Sequence, residues 1–538
     1  IAATADAVAV DGGGGMADFG VEPLSAVASE LRQALTPEEV EEVVLLADRP
    51  GAVPYALPLE LPPPGHALRE RGLALLWART VTVAAAIVGT SRLRLVTKCD
   101  ETFERLKADF DAQPKVTSHL EQYGEFSLTR ALPEDVPAEL RAMPFLSARG
   151  GGVADEPLLG TNEAAPLKKR LYLGVDYGRS DVKCAVVDES GMELSTYVTR
   201  WWRPAEQVAE EREYLDPAIL TSIDEPLRCL GEAALEVIRL ALDAAGTEVG
   251  ADGAAARLCG LGLSAAGCVR DGRLCGLPPA FGGCDPSASA GVLDRLEHSV
   301  LGYVVKHLPE RLGSRLAVAD GGGDCATMLV NDGDASAMWG STGLCAAEGQ
   351  DADAIGLYLS CGTGLAGGIV RQGGGVCGGG VLEVGKLVMG LPMASGSAPQ
   401  HDTLGVAGVA QGMAGTQRSF FNLLAARGGE RIEGKAEQRA AIVAMQKRPL
   451  DDEVCSIFST LGGWLAQFVL ELSEYLPFKL THVEAGGKLT DAASGEIMLT
   501  KARDALKEHG ISNVRRADES EFGQALALAK AVRSAKED

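Results

Sequence analysis

Aromatic side chains are scarce in this chain of 538 residues, 5% in all, so its cores must rest on Ala, Val and Leu. Positive charge is also in deficit: 50 Lys+Arg against 74 Asp+Glu leave a formal net charge of −24. That balance argues against sequence-independent binding to nucleic acid or to an anionic membrane surface. The 12 cysteines, scattered from Cys99 to Cys455, include no CxxC pair. Cys259, Cys268, Cys275 and Cys284 stand too far apart for a zinc knuckle. Reduced thiols are therefore expected, in a soluble protein of the cytoplasm or an organelle interior. The longest apolar run, Leu73 to Gly89, is interrupted by Arg79 and falls short of the roughly 20 residues a membrane span needs. What is abundant is glycine, 66 residues, which predicts many tight turns.

At about 150 residues per domain the length predicts three to four domains. Residues 1–16 are Ala/Gly-rich without period and are expected to be a disordered leader. A processed targeting segment and a truncated start at Ile1 are both compatible with that run. Residues 17–149 are assigned to an N-terminal α/β extension, with a helical pattern from Pro23 to Ala47, a helix from Ala67 to Arg79, a strand from Val81 to Val88 and a helix from Glu101 to Phe110. A linker, 150–169, carries Gly150-Gly151-Gly152. Beyond it the pattern becomes α/β. A first lobe over 170–334 is completed by a C-terminal helix, 521–536, and a second lobe covers 335–520. Leu171 to Val175 is a strand ending at Asp176, with Lys183 to Val187 as its antiparallel return; Ile355 to Ser360 and Gly367 to Val370 repeat that unit.

Both units suit a polyphosphate. In Gly174-Val175-Asp176-Tyr177-Gly178-Arg179-Ser180-Asp181-Val182-Lys183, the strand-end acid can hold Mg²⁺ through water, and the turn offers N–H groups and a hydroxyl to phosphate oxygens. Ser360-Cys361-Gly362-Thr363-Gly364 supplies similar hardware for the other end. Either turn alone is more often an ordinary hairpin; two in this order are less easily dismissed.

With these residues the chain resembles the ROK group (repressors, open reading frames and kinases) of the actin-like sugar-kinase superfamily. Asp176-Tyr177-Gly178-Arg179-Ser180 is similar to its first phosphate motif, Gly362-Thr363-Gly364 to its second, and Glu484-Ala485-Gly486-Gly487 to its adenosine motif. Leu261 to Gly267 is similar to its sugar-side strand and loop, and the Gly-x-Ser-Asp-x-Lys form resembles a bacterial branch with a long N-terminal region. The resemblance implies two ribonuclease-H-like (actin-like) lobes around a nucleotide cleft, with ATP and Mg²⁺ as cofactors and a small-molecule sugar as substrate. It implies nucleotide contacts at Asp176, Gly178, Ser180, Lys183, Gly362, Thr363, Gly364, Gly486 and Gly487, with Asp176 holding the metal through water.

Phosphoryl transfer to a sugar needs a carboxylate to orient and deprotonate the attacking hydroxyl. The resemblance puts that role on the Asn-Asp pair after an apolar strand, here Asn331-Asp332, with Asp332 as base and Asn331 orienting the hydroxyl. Asp320 and Asp324 are the rivals, and Asn-Asp-Gly-Asp is also a favoured solvated turn. The family's Glu-x-Gly-His stretch corresponds to Glu383-Val384-Gly385-Lys386, with Lys386 in place of His, which leaves both as sugar contacts of altered type. The family's cysteine-rich zinc loop has no counterpart in Gly405 to Thr416, so no zinc site is expected.

Gly260-Leu261-Gly262-Leu263-Ser264-Ala265 formally fits a dinucleotide fingerprint but lacks a following helix pattern and a strand-end acid about 20 residues on. A repressor is disfavoured because Glu30, Glu38, Glu39, Glu41 and Glu42 would repel phosphate. The alternative to a kinase is a catalytically decayed relative serving as a structural or interaction subunit, in a homo-oligomer or a larger assembly.

Overall fold

Proline and a reciprocal cap break the first helical stretch early. The computed structural model describes residues 21–48, 54–136, 170–177, 181–200, 224–246, 256–265, 269–270, 273–274, 300–312, 316–318, 325–345, 355–362, 364–371, 383–393, 401, 404–429, 432, 435–448, 450–517 and 520–534. Strand β1 (Val21–Pro23) leads into helix α1 (Leu24–Ala34), whose buried face is Leu24, Val27, Ala28 and Leu31. Glu39 Oε2 then accepts from the backbone N–H and the hydroxyl of Thr36, at 3.2 and 3.0 Å, and the chain continues as β2 (Glu41–Ala47). The helix expected from Pro23 to Ala47 is thus a helix followed by a strand. Pro37 disfavours helix at the residue before it, and Val43-Val44 favour the pleated surface.

After β3 (Tyr55–Leu61), helix α2 (Arg69–Thr82) runs on as a π-helical turn, Val83–Ile87. This overturns the strand expected over Val81 to Val88. Residues 78–88 are all buried, and an apolar run enclosed on every side has no period to separate helix from strand. The hydroxyls of Thr80 and Thr82 donate to the carbonyls of Leu76 and Ala78, at 2.7 and 3.0 Å, which meets their needs inside the helix. β4 (Arg92–Val96), α3 (Asp100–Asp111), α4 (Pro114–Leu120) and β5 (Ser127–Ala131) follow, and the sheet has the order β3-β2-β4-β5.

The next strands are β6 (Arg170–Tyr177), β7 (Asp181–Asp188) and β8 (Glu193–Arg200). Then come α5 (Asp224–Ala244), β9 (Ala256–Ala265), the short pair β10 (Val269–Arg270) and β11 (Arg273–Leu274), α6 (Val300–Leu312), β12 (Leu316–Val318), β13 (Ala326–Asn331) and α7 (Asp332–Cys345). β14 (Ile355–Cys361), β15 (Leu365–Arg371), β16 (Gly390–Pro392), α8 (Ala410–Met413), α9 (Gln417–Ala426), α10 (Lys435–Lys447) and α11 (Asp452–Ser473) precede β17 (His482–Gly486). α12 (Ala492–Lys507), β18 (Asn513–Arg516) and α13 (Gly523–Ser534) close the described chain.

The protein is α/β and divides into two compact units. One comprises Ile1–Leu146, Gln350–Gly367 and Leu382–Asp518; the other Ser147–Gly349, Gly368–Val381 and Glu519–Asp538. In the second, β6, β7 and β8 form an antiparallel meander, and β9 pairs in parallel with β6, β12 and β13. Leu171, Leu173 and Val175 of β6 share its core with Leu235 and Ile238 of α5. Helix α13 lies close against the sheet at Gly174, where a Cβ would sit 1.9 Å from the Ala525 carbonyl oxygen.

In the first unit the sheet order is β15-β14-β17-β18, with β14, β17 and β18 parallel. The N-terminal region is built into this unit: β1 pairs antiparallel with β16, Val21 opposite Pro392. Among the described residues α11 is the one helix long and apolar enough to cross a membrane. Its Ile457, Phe458, Leu461, Trp464, Leu465, Phe468 and Leu472 are buried, which accounts for that hydropathy as a core helix.

Candidate functional site

Parallel strands in the second unit deliver three polar groups to neighbouring carboxyl ends. Asp176, near the end of β6, is opposite Lys183 of β7 on one side and Ser264 of β9 on the other. Only 2% of Asp176 is exposed, and Ser264 donates its hydroxyl to Asp176 Oδ1 at 2.6 Å. One strand further, Asn331 ends β13 opposite Ala265, and Asp332 is the first residue of α7. The apolar strand expected before Asn331 is therefore present, and the acid opens a helix. Asn331 Oδ1 accepts the Gly333 N–H at 2.7 Å, and Asp332 Oδ1 accepts it at 3.0 Å. A carboxylate in a helix's first turn lies in the favourable field of the aligned peptide dipoles. The Asp332 carbonyl is held from two sides, by the Ser336 hydroxyl at 2.8 Å and by Gln524 Nε2 of α13 at 3.3 Å. Gly178, Arg179 and Ser180 lie outside the described residues, as do Asp320 and Asp324.

The first unit presents glycines where the second presents acids. Ser360 is opposite Gly486 in the parallel β14–β17 pair. Gly487, at φ +105°, follows β17, and a Cβ on it would fall 2.3 Å from the Cys361 carbonyl oxygen, so only glycine lets the two strand ends approach this closely. The Gly362 N–H closes its turn on the Gly364 carbonyl at 3.1 Å, and the Gly362 carbonyl accepts the Gln417 N–H at the start of α9, at 2.9 Å. Gly362, Gly364, Gly486 and Gly487 are thus brought together at one end of this sheet; Thr363 lies outside the described residues. Glu484, 3% exposed, is held on β17 by Arg515 Nε at 2.7 Å.

Glu383 and Lys386 sit on a short turn in the same unit. The Glu383 N–H donates to the Ala86 carbonyl at 2.9 Å, and Lys386 Nζ lies 3.7 Å from Glu383 Oε2. Sequence reasoning missed the groups around them. His119 of α4 is buried, and burial first, then the positive charge of Lys386, holds its imidazole well below the usual histidine range. His401 is buried too, with Nε2 2.7 Å from Gln411 Oε1. Ser264 was likewise visible in the sequence only as a member of motifs, and Gln524 only as part of the C-terminal helix, both without a role. No local signal marks any of the four, because each meets its partner through the tertiary fold.

The groups present suit Mg²⁺ bound with a polyphosphate. Among the described residues no three His, Cys, Asp or Glu side chains gather as a metal cage. Mg²⁺ characteristically keeps waters and takes one or two carboxylates plus substrate phosphates, a role the Asp176 position can fill.

No family model matches the chain, and no curated protein matches it. Solved structures do. A ROK hexokinase from Thermus thermophilus is 20% identical over 67% of this chain and 97% of its own, with a TM-score of 0.43. A ROK family glucokinase from Streptomyces griseus in complex with glucose and AMPPNP is 19% identical over 68% and 99%, with a TM-score of 0.38. A ROK family transcriptional regulator, a homolog of the E. coli MLC protein, is 14% identical over 68% and 78%, with a TM-score of 0.45. The solved structures to which this chain is similar thus include kinases and a regulator of the group its motifs resemble.

Proposed function

We propose that the chain is an ATP-dependent kinase that phosphorylates a sugar hydroxyl, with Asp332 as general base. The observation that carries this reading is the delivery of Asp176, Ser264 and Asn331-Asp332 to adjacent strand ends of one sheet. Crevices at the carboxyl ends of parallel strands are where open α/β sheets bind ligands. ATP with Mg²⁺ supplies the phosphoryl group. Asp332 accepts the proton of the attacking hydroxyl, and Asn331 helps orient that hydroxyl while its own oxygen caps Gly333. Asp176 holds the hydrated metal, and Lys183 adds positive charge on the neighbouring strand. The motif resemblance assigns phosphate contacts to Gly362, Thr363 and Gly364 and to Gly178 and Ser180, and nucleoside contacts to Gly486-Gly487.

One observation favours the second reading, a decayed kinase acting as an interaction subunit: the Glu383 carboxylate already faces the Lys386 ammonium. Two measurements on the full chain decide. Millimolar ATP–Mg²⁺ should raise the melting temperature, because a ligand that binds only the native state stabilises it by mass action. A panel of hexoses and amino sugars should then give sugar-dependent ATP consumption. A nucleotide-induced shift with no turnover on any sugar would favour the interaction subunit; no shift would sink the nucleotide reading altogether.

A further inference from the structure

The second phosphate turn uses its own first N–H internally, since Gly362 donates to the Gly364 carbonyl. A donor from outside the turn would add to the N–H groups the turn still offers a polyphosphate. Gln411, on α8, is placed to supply it. Its Nε2 lies 3.6 Å from the position a Cβ on Gly364 would take, and its Cβ lies 3.7 Å from the corresponding position on Gly385. Gln411 thus stands between the turn and the Glu383–Lys386 segment, on a side chain that is partly open to solvent. Gly487 abuts Cys361, at the near side of the same turn.

The direction of the amide follows from its neighbours. The Leu404 N–H donates to His401 Nδ1 at 3.2 Å, and a backbone N–H can only donate, so Nδ1 carries no proton. His401 is then the neutral Nε2–H tautomer, and its Nε2 donates to Gln411 Oε1 at 2.7 Å. With the oxygen engaged by His401, the NH₂ is the group turned to Gly364. The Gln411 carbonyl is fixed as well, accepting the Thr416 hydroxyl at 2.8 Å.

We propose that Gln411, oriented by His401, is a side-chain hydrogen-bond donor to the end of the bound polyphosphate nearest the Glu383–Lys386 segment, which is the phosphoryl group to be transferred. The inference rests on the kinase reading. Gln411→Glu tests it, because the carboxylate keeps the acceptor for His401 and turns an anionic acceptor, in place of a donor, toward the phosphate. Binding of AMPPNP and of ADP to the full chain, both with Mg²⁺, is measured by calorimetry. In Gln411→Glu, AMPPNP affinity should fall by about tenfold or more while ADP affinity changes by less than about twofold. Gln411→Met, which removes the donor without adding charge, should show a smaller loss of the same selectivity, and it decides the matter if the Glu variant does not fold. Wild-type affinity for AMPPNP in a folded variant, or an equal loss for both nucleotides, would overturn the assignment of Gln411 and leave the kinase reading standing. A wild-type chain that binds neither nucleotide would overturn both.

Discussion

Two buried carboxylates, Asp176 in one unit and Glu471 in the other, are treated in opposite ways. Asp176 sits near the carboxyl end of a central strand, takes the Ser264 hydroxyl, and has cross-strand neighbours that are themselves polar. Glu471 sits inside α11, fully buried, with Tyr475 donating its hydroxyl at 3.1 Å and Arg79 of α2 nearby. Burial pushes the Glu471 carboxyl up to about 7, against the pull of the Arg79 charge, while Glu474 pushes it further the same way. A perturbed titration is thus no guide by itself to where the chemistry lies, since buried structural pairs show it as well. Position decides. Asp176 is at a strand end beside other functional groups, whereas Glu471 is enclosed between helices, and the strand ends of its unit carry glycine.

The largest effect expected on this contrast is at the neighbouring strand end. Asp332→Asn keeps size and hydrogen bonding but removes the charge that accepts a proton. Sugar phosphorylation should fall by roughly 10²–10⁴-fold while ATP affinity barely changes. Equal rates in variant and wild type would take the base role away from Asp332.

A smaller effect, on stability alone, is expected from Glu471→Gln. The folded-state value of about 7 lies above the ordinary 4.5, so the folded protein holds a proton that the unfolded chain releases between those values. The contribution of Glu471 is fully present below the ordinary value and is lost as pH rises through about 7. Wild-type melting temperature should therefore decline from about pH 5 to about pH 8, and the glutamine variant should flatten that decline because an amide does not ionise. Sugar phosphorylation per folded molecule should be unchanged. A variant with the wild-type pH profile would show that Glu471 stays ionised against Arg79 throughout.

The sequence carried the strand-end residues well and the packing around them poorly. Leu171 to Asp176 with its return at Lys183, and Met328-Leu329-Val330 before Asn331, are apolar runs ending in polar groups, a pattern that local sequence can show. The turn from α2 into Val83–Ile87 was misread because its burial on all sides erases the period. Ser264 meets Asp176 across 88 residues, through a strand register that no local pattern fixes. Gln411 and His401 are only 10 apart, yet their pairing depends on the Leu404 N–H setting the tautomer. Prolines and glycines mark where the chain turns; they do not say which side chains will meet after it has turned.

The smallest effect, and the finest test of the contrast, is Ser264→Ala. The hydroxyl lies on β9 directly beside β6, fully buried, and donates the 2.6 Å hydrogen bond to Asp176 Oδ1. Removing it leaves the carboxylate its other interactions, so the expected loss of stability is about 1 kcal/mol, the usual net worth of one hydrogen bond. If Asp176 serves only the packing of the sheet, the variant should melt lower by the same amount with and without ligand. If Asp176 holds the metal, the carboxylate loses a restraint on its orientation. The extra stabilisation by ATP–Mg²⁺ over ATP with chelator should then shrink, though less than in Asp176→Asn, where the charge itself is lost. An undiminished Mg²⁺-dependent increment in Ser264→Ala, with a lower melting temperature, would move Ser264 from the site to the core and make Asp176 more like Glu471 than its place on the strand suggests.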